Sequence, residues 1–205
     1  MKLLKQTSTN FLCLLLLSIA SLACSKKDEP APTTKNEITF NGKTHTFITA
    51  LMGNFGFKDN TRFGTPTHQI FDVMQADDVI LVDNDGRFVD LKNTEYLIMY
   101  GLFVPEAASL PVGTFTYISH ENDQNLQPKQ LQEKYNGKYY FSSAWIHFDL
   151  NGNNKLEPGE YLKVVGGKIT TSGTEADFTI DYDWVFNDGK TLKGRYKGDV
   201  TWYRH

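Results

Sequence analysis

The chain has 205 residues, with twenty-one Lys and Arg against twenty-four Asp and Glu and a formal net charge of −3. A mildly acidic protein of this kind offers nucleic acid no basic footprint, so that class of partner is set aside. The two cysteines, Cys13 and Cys24, both lie near the N-terminus, so no disulfide framework is expected and stability must come from packing.

Lys2 and Lys5 precede an apolar run, Phe11 to Ala20, that is too short for a comfortable bilayer span and is followed by small residues. Residues 1–23 therefore read as a signal peptide. The sequence Ser21-Leu22-Ala23-Cys24 resembles a bacterial lipobox, although Ser21 and Leu22 stand where a leucine and a small residue are usual. The resemblance implies cleavage before Cys24 and a lipid on that cysteine, which would tie the protein to a membrane. Ser21 and Ala23 also fit ordinary small-x-small cleavage, which would instead give a soluble secreted protein. Residues 24–36 hold charges, prolines and small polar groups with little to bury, the composition of a tether. Lys27-Asp28-Glu29 within it resembles the lysine-plus-two-acids signal of Bacteroidota surface lipoproteins, implying the outer face of the outer membrane. Incidental linker charges would leave a periplasmic location open. Every one of these readings puts the remaining residues, 37–205, outside the cytoplasm as one domain, since about 170 residues suffice for one core and hardly for two.

Strand signals follow one another along that domain. Glu37 to Phe40 and Lys43 to Leu51 flank Asn41-Gly42, a strong two-residue hairpin signal. Asn54 to Thr67 is rich in Gly, Asn and Thr and reads as a connection. Val79 to Val82 and Phe88 to Leu91 flank Asp83-Asn84-Asp85-Gly86, first of all a hairpin turn, since no glutamate stands twelfth from Asp83 to complete a calcium loop. Tyr96 to Phe103 is apolar at successive positions, as a strand buried on both faces must be. Gly113 to Ser119, Tyr139 to Phe148 and Tyr161 to Thr171 add strands, and Leu126 to Tyr135, with Pro128 near its start, is the one short helical candidate.

Between the strands ending at Phe148 and beginning at Tyr161 lie twelve residues, Asp149 to Glu160, whose spacing resembles the calcium loop of EF-hand proteins. The resemblance implies side-chain oxygens from Asp149, Asn151 and Asn153, the backbone carbonyl of Lys155, a direct or water-mediated contact from Glu157 and a bidentate carboxylate from Glu160. Leu156 fills the usual apolar eighth position. Asn154 stands where glycine is normal, and asparagine is among the few other residues that tolerate the positive φ required there. An EF-hand is framed by helices and works in pairs, whereas here the flanks read as strands and there is one loop. The closer likeness is to the isolated, dockerin-like calcium loops of extracellular proteins. It implies calcium as cofactor at modest affinity, roughly 10⁻⁵ to 10⁻³ M. An ordinary polar hairpin loop turned by its Asn-Gly and Pro-Gly pairs is the alternative.

The C-terminal pattern is the clearest. Phe178, Ile180, Tyr182, Trp184 and Phe186 alternate with polar residues, as do Leu192, Gly194, Tyr196, Gly198, Val200 and Trp202, on either side of Asn187-Asp188-Gly189. Opposed residues of an antiparallel pair share a face, so the apolar sets must meet. A two-residue loop fails this test, whereas a three-residue loop with Gly189 in the left-handed region meets it, setting Trp184 opposite Leu192, Asp183 opposite Lys193 and Asp181 opposite Arg195. Gly194 and Gly198 on the apolar face predict strong curvature or a close neighbour. The expected class is all-β, an antiparallel β-sandwich or lipocalin-like barrel built from hairpins.

No nucleophile elbow, zinc-binding histidine pair, phosphate loop or cysteine–histidine pairing is written in the chain, so a binding module is expected rather than an enzyme. Tyr135, Tyr139, Tyr140, Phe141 and Trp145 gather just before the calcium loop, which makes a surface glycan the alternative ligand, although strands also enrich aromatics for packing. A lipocalin-like carrier of an apolar small molecule is a third expectation, if the curled sheet encloses an open interior.

Overall fold

The computed structural model describes residues 36–57, 67–149, 151–153 and 157–203. The signal peptide, Cys24, the tether up to residue 35, residues 58–66 of the connection, and Leu150, Asn154, Lys155 and Leu156 of the twelve-residue loop lie outside them.

Thirteen strands are seen among the described residues: β1 Glu37–Phe40, β2 Lys43–Thr46, β3 Thr49–Phe57, β4 Gln69–Ala76, β5 Ile80–Val82, β6 Phe88–Leu91, β7 Tyr96–Val104, β8 Gly113–Tyr117, β9 Tyr140–Phe148, β10 Tyr161–Thr174, β11 Asp177–Phe186, β12 Thr191–Gly198 and β13 Thr201–Tyr203. A 3₁₀ turn at Asp123–Asn125 and one helix, α1 at Pro128–Tyr135, separate β8 from β9. Pro128 opens α1 where its missing N–H is harmless, and Gln127 and Gln130 cap one another reciprocally. Eleven strands form one curled sheet in the order β13-β3-β4-β7-β9-β8-β10-β11-β12-β1-β2, a half-barrel, while β5 and β6 pair only with each other.

The all-β class holds, but the sheet is mixed rather than antiparallel throughout. β13 runs parallel to β3, and β8 runs parallel to the start of β9. Several boundaries also move. The run Lys43 to Leu51, read as one strand, breaks at Phe47 and Ile48 into β2, which pairs with β1, and β3, which pairs with β4 and β13. Residues 54–57, read as connection, complete β3 through a bulge between Asn54 and Gly56. The C-terminal alternation does not run on as one strand to Trp202. It stops at Gly198, Val200 N–H turns to donate to the Glu175 carbonyl, and the last residues cross to pair with β3.

The hairpin β11–β12 has the register deduced from charge and face: Trp184 opposite Leu192, Asp183 opposite Lys193, Asp181 opposite Arg195. Gly189 has φ 82°, and Arg195 holds Asp181 with two hydrogen bonds of 2.6 and 3.1 Å. Asn41 and Gly42 both have positive φ in the β1–β2 turn, as a primed two-residue turn requires.

The inner face of the curl is filled by side chains. Phe71, Phe115, Phe141, Phe178, Trp184 and Phe186 are almost fully buried there among Ile, Leu and Val. Trp184 packs edge-on to Tyr100 and Tyr182 and stacks on Phe141, which joins β11 to β7 and β9 across the concavity. The β1–β2 end curls over the same core, bringing Phe40 onto Phe148 at 4.5 Å and His45 onto Tyr96 at 4.0 Å. On the outer face α1 covers Phe103 and Tyr140, while the β5–β6 hairpin covers Leu97 and Ala76.

Candidate functional site

The twelve-residue stretch is the loop of the β9–β10 hairpin. His147 pairs with Tyr161 across the two strands, and Phe148 N–H donates to the Glu160 carbonyl at 2.9 Å, so the ends of the loop are clamped side by side. Asp149 N–H donates to the Glu95 carbonyl, also at 2.9 Å, and ties the loop base to the turn before β7. Strands frame the loop, as the sequence indicated.

Within the loop, side-chain oxygens turn inward. Asp149 Oδ1 and Asn151 Oδ1 both accept the Asn153 N–H, each at 3.0 Å, so the first and third positions converge on the fifth. Glu160, only 8% exposed, accepts the Glu157 N–H on Oε2 at 3.2 Å, while Glu160 N–H returns to the Glu157 carbonyl at 3.1 Å. Asn151 Nδ2 donates to Glu157 Oε2 at 3.3 Å and links the two halves. Gly152 and Gly159 take positive φ and permit the two reversals. Asp149, Asn151, Asn153, Glu157 and Glu160 thus share one loop, and Lys155 lies outside the described residues.

As a donor set these residues suit a hard cation, because they present oxygen and no sulfur or imidazole. Hydrogen bonds close the loop in this arrangement. No group of three His, Cys, Asp or Glu gathers into a ligand cluster among the described residues, so Asp149, Glu157 and Glu160 do not meet at one point. Asn151 also turns its amide nitrogen, not its oxygen, toward Glu157. The donor types suit calcium, but the loop as folded is closed by hydrogen bonds, with Asn151 Nδ2 on Glu157, rather than arranged around one point. The second acidic turn is an Asx-type hairpin turn: Asp83 Oδ1 accepts the N–H groups of Asp85 and Arg87.

The aromatic grouping resolves differently from the sequence expectation. Tyr135, Tyr140 and Phe141 are buried, because α1 folds over the outer face and Phe141 points into the core. Tyr139 packs edge-on to Phe115 and donates its phenol to Glu106. Trp145 alone of that group stands beside the loop, and its companions are residues not grouped with it. His147 lies edge-on to Trp145 at 4.5 Å, and Tyr161, 52% exposed, stacks on His147 at 5.5 Å. Alternation along β9 places Trp145 and His147 on one face. Pairing across the twelve-residue loop adds Tyr161, which could have been found by treating the loop as a hairpin. Burial holds the His147 pKa below its usual value, against an opposing pull from the Glu160 charge, and its Nδ1 has no hydrogen-bond partner among the described residues.

A polar knot lies under α1. Asp123, buried beside the 3₁₀ turn, accepts Lys134 Nζ and the Tyr135 phenol, each at 2.7 Å. Burial pushes its carboxyl up, but these two bonds together with the charges of Lys134 and His120 outweigh burial and the net shift is downward. Lys134 and Tyr135 also reach the Ser119 carbonyl, so the knot fastens α1 to the segment after β8. Comparison with protein families, with curated proteins and with solved structures gives no match to this chain.

Proposed function

We propose that this chain is a lipid-anchored outer-membrane protein whose β-domain binds one calcium ion in the loop Asp149 to Glu160 and serves as a binding module at the cell surface. The anchor rests on the resemblance of residues 21–24 to a lipobox and of residues 27–29 to a surface-export signal. The observation that carries the calcium reading is the convergence of Asp149 and Asn151 oxygens on one N–H, in a loop whose far end is fixed by Glu160. Asp149, Asn151, Asn153, Glu157 and Glu160 would hold the ion with the Lys155 carbonyl, and the ion would supply the positive charge that lets three carboxylates share one loop. Long loops cost entropy to close, so an ion that bridges both halves stabilises the β9–β10 hairpin and with it the face carrying Tyr161.

Among the described residues, every core residue lies between Ile38 and Tyr203, so the unlipidated chain from Ser25 onward is the form to test. Its melting temperature is expected to rise by several degrees in millimolar calcium over chelator, and Glu160→Gln to abolish that rise. An equal rise in Glu160→Gln, or none in the wild type, contradicts the assignment.

A second reading, recognition of a surface glycan, is favoured by the Trp145–His147–Tyr161 group beside the loop, because sugar rings stack on exposed aromatic faces. In that case Tyr161→Ala, on an exposed side chain, loses retention on polysaccharide gels while its melting temperature stays within about 2 °C of wild type. Retention of wild type and variant alike would remove the aromatic group from consideration.

A further inference from the structure

The outer face of the sheet is apolar where an outward face of a half-barrel would ordinarily be solvated. Met74 pairs with Met99 and with Leu51 across neighbouring strands, and Ala76 pairs with Leu97. The β5–β6 hairpin covers part of this face through Ile80 and Leu91. Beside it remains a cavity of about 410 Å³, floored by Asp72, Met74, Leu97 and Met99 and walled by Tyr203 and by Arg87 and Phe88 of the hairpin. The volume falls in the range of small-molecule sites, roughly 300–1,000 Å³, and mostly apolar walls with a few polar groups are their usual lining.

We propose that this cavity binds a small, largely apolar molecule carrying one hydrogen-bond donor. Met74 and Met99 supply soft walls that adapt to an aromatic or aliphatic body. Phe88, 45% exposed at the hairpin, supplies a ring that a ligand would cover. The donor is set by Asp72. Its register partner is Gly101, and Asp72 Oδ1 lies 3.3 Å from where a Cβ on Gly101 would stand, so the missing side chain lets the carboxylate lie across the sheet. The Tyr203 phenol is close enough that burial and then the Asp72 charge both raise its pKa. The Asp72 carboxylate and the Tyr203 phenol therefore form a polar end beside the apolar floor of this open cleft. Arg87 pairs with Asp85 at 3.5 Å with both side chains well exposed, which puts the cation at the solvent side. Three separate parts of the chain form the walls, so a compact molecule fits better than a flat protein surface. The proposal stands whether or not the loop binds calcium.

The test uses N-phenyl-1-naphthylamine, an apolar amine with a single N–H whose emission rises in apolar surroundings, added to the unlipidated chain from Ser25 labelled at methionine methyls. The expected result is saturable binding that shifts the Met74 and Met99 methyl resonances and leaves Met52, buried in the inner core, unmoved. Phe88→Ala is expected to weaken binding about tenfold with the Met52 resonance unchanged as a check on folding. 1-Phenylnaphthalene, which lacks the N–H, is expected to bind several-fold more weakly. Non-saturable binding, or shifts that spare Met74 and Met99 or include Met52, overturns the site. Undiminished binding in Phe88→Ala overturns it as well, and equal affinity for the hydrocarbon overturns the part given to Asp72.

Discussion

Replacing Gly194 by alanine is expected to destabilise the domain by about 3 kcal/mol, the upper part of the range for overpacking. Gly194 sits on β12 directly opposite Ile38 of β1. A Cβ there would lie 2.5 Å from the Glu37 carbonyl oxygen and 2.6 Å from Ile38 Cα, and backbone cannot swing aside as a flexible side chain can. The only relief is to part β1 from β12, which loosens the curl that carries Phe40 onto Phe148 and His45 onto Tyr96. Gly137→Ala is the control. Gly137 has φ 68° with nothing within 4 Å of a built Cβ, so only the left-handed backbone is penalised, at about 1 kcal/mol. Urea unfolding of the two variants reads the difference. A Gly194→Ala midpoint no lower than that of Gly137→Ala would mean that β1 does not cross β12 this closely.

Truncation of Trp184 is expected to be worse still. The indole is fully buried and touches Tyr100, Phe141, Tyr182 and Phe186, so Trp184→Ala should cost about 3–5 kcal/mol and lower the melting temperature by roughly 10 °C. That is a large part of the roughly 5–15 kcal/mol by which a domain is stable. Trp184→Phe should lose much less, because Nε1 has no hydrogen-bond partner among the described residues and only packing is given up. Equal losses from both variants would mean that the indole N–H holds a bond essential to the core.

What the sequence revealed of this fold was local. The β11–β12 register was legible because alternation, opposed charges at Asp181 and Arg195 and a glycine in the turn all act within one hairpin. The close approach at Gly194 was legible as a type of event, since glycine on an apolar strand face signals a neighbour, but not as contact with β1. The departure of β13 was hidden. Val200 and Trp202 continue the period-two pattern, and nothing nearby says that the chain leaves β12 at Gly198 to pair in parallel with β3. The insertion of β8 between β9 and β10 was hidden for the same reason, because parallel pairing is settled by distant contacts. That Asp149 to Glu160 joins two strands was legible, and its clamped base agrees with that. The neighbouring aromatics were not, because burial of Tyr135 and Tyr140 depends on α1 folding back over the sheet, which periodicity along β9 cannot express.

Calorimetric titration of calcium into the chelator-treated, unlipidated chain from Ser25 tests the central proposal most directly. Saturable one-to-one binding is expected, with a dissociation constant of roughly 10⁻⁵ to 10⁻³ M. Absence of binding heat up to several millimolar calcium, with an unchanged melting temperature, would contradict it and reduce Asp149 to Glu160 to a hairpin loop closed by its own hydrogen bonds.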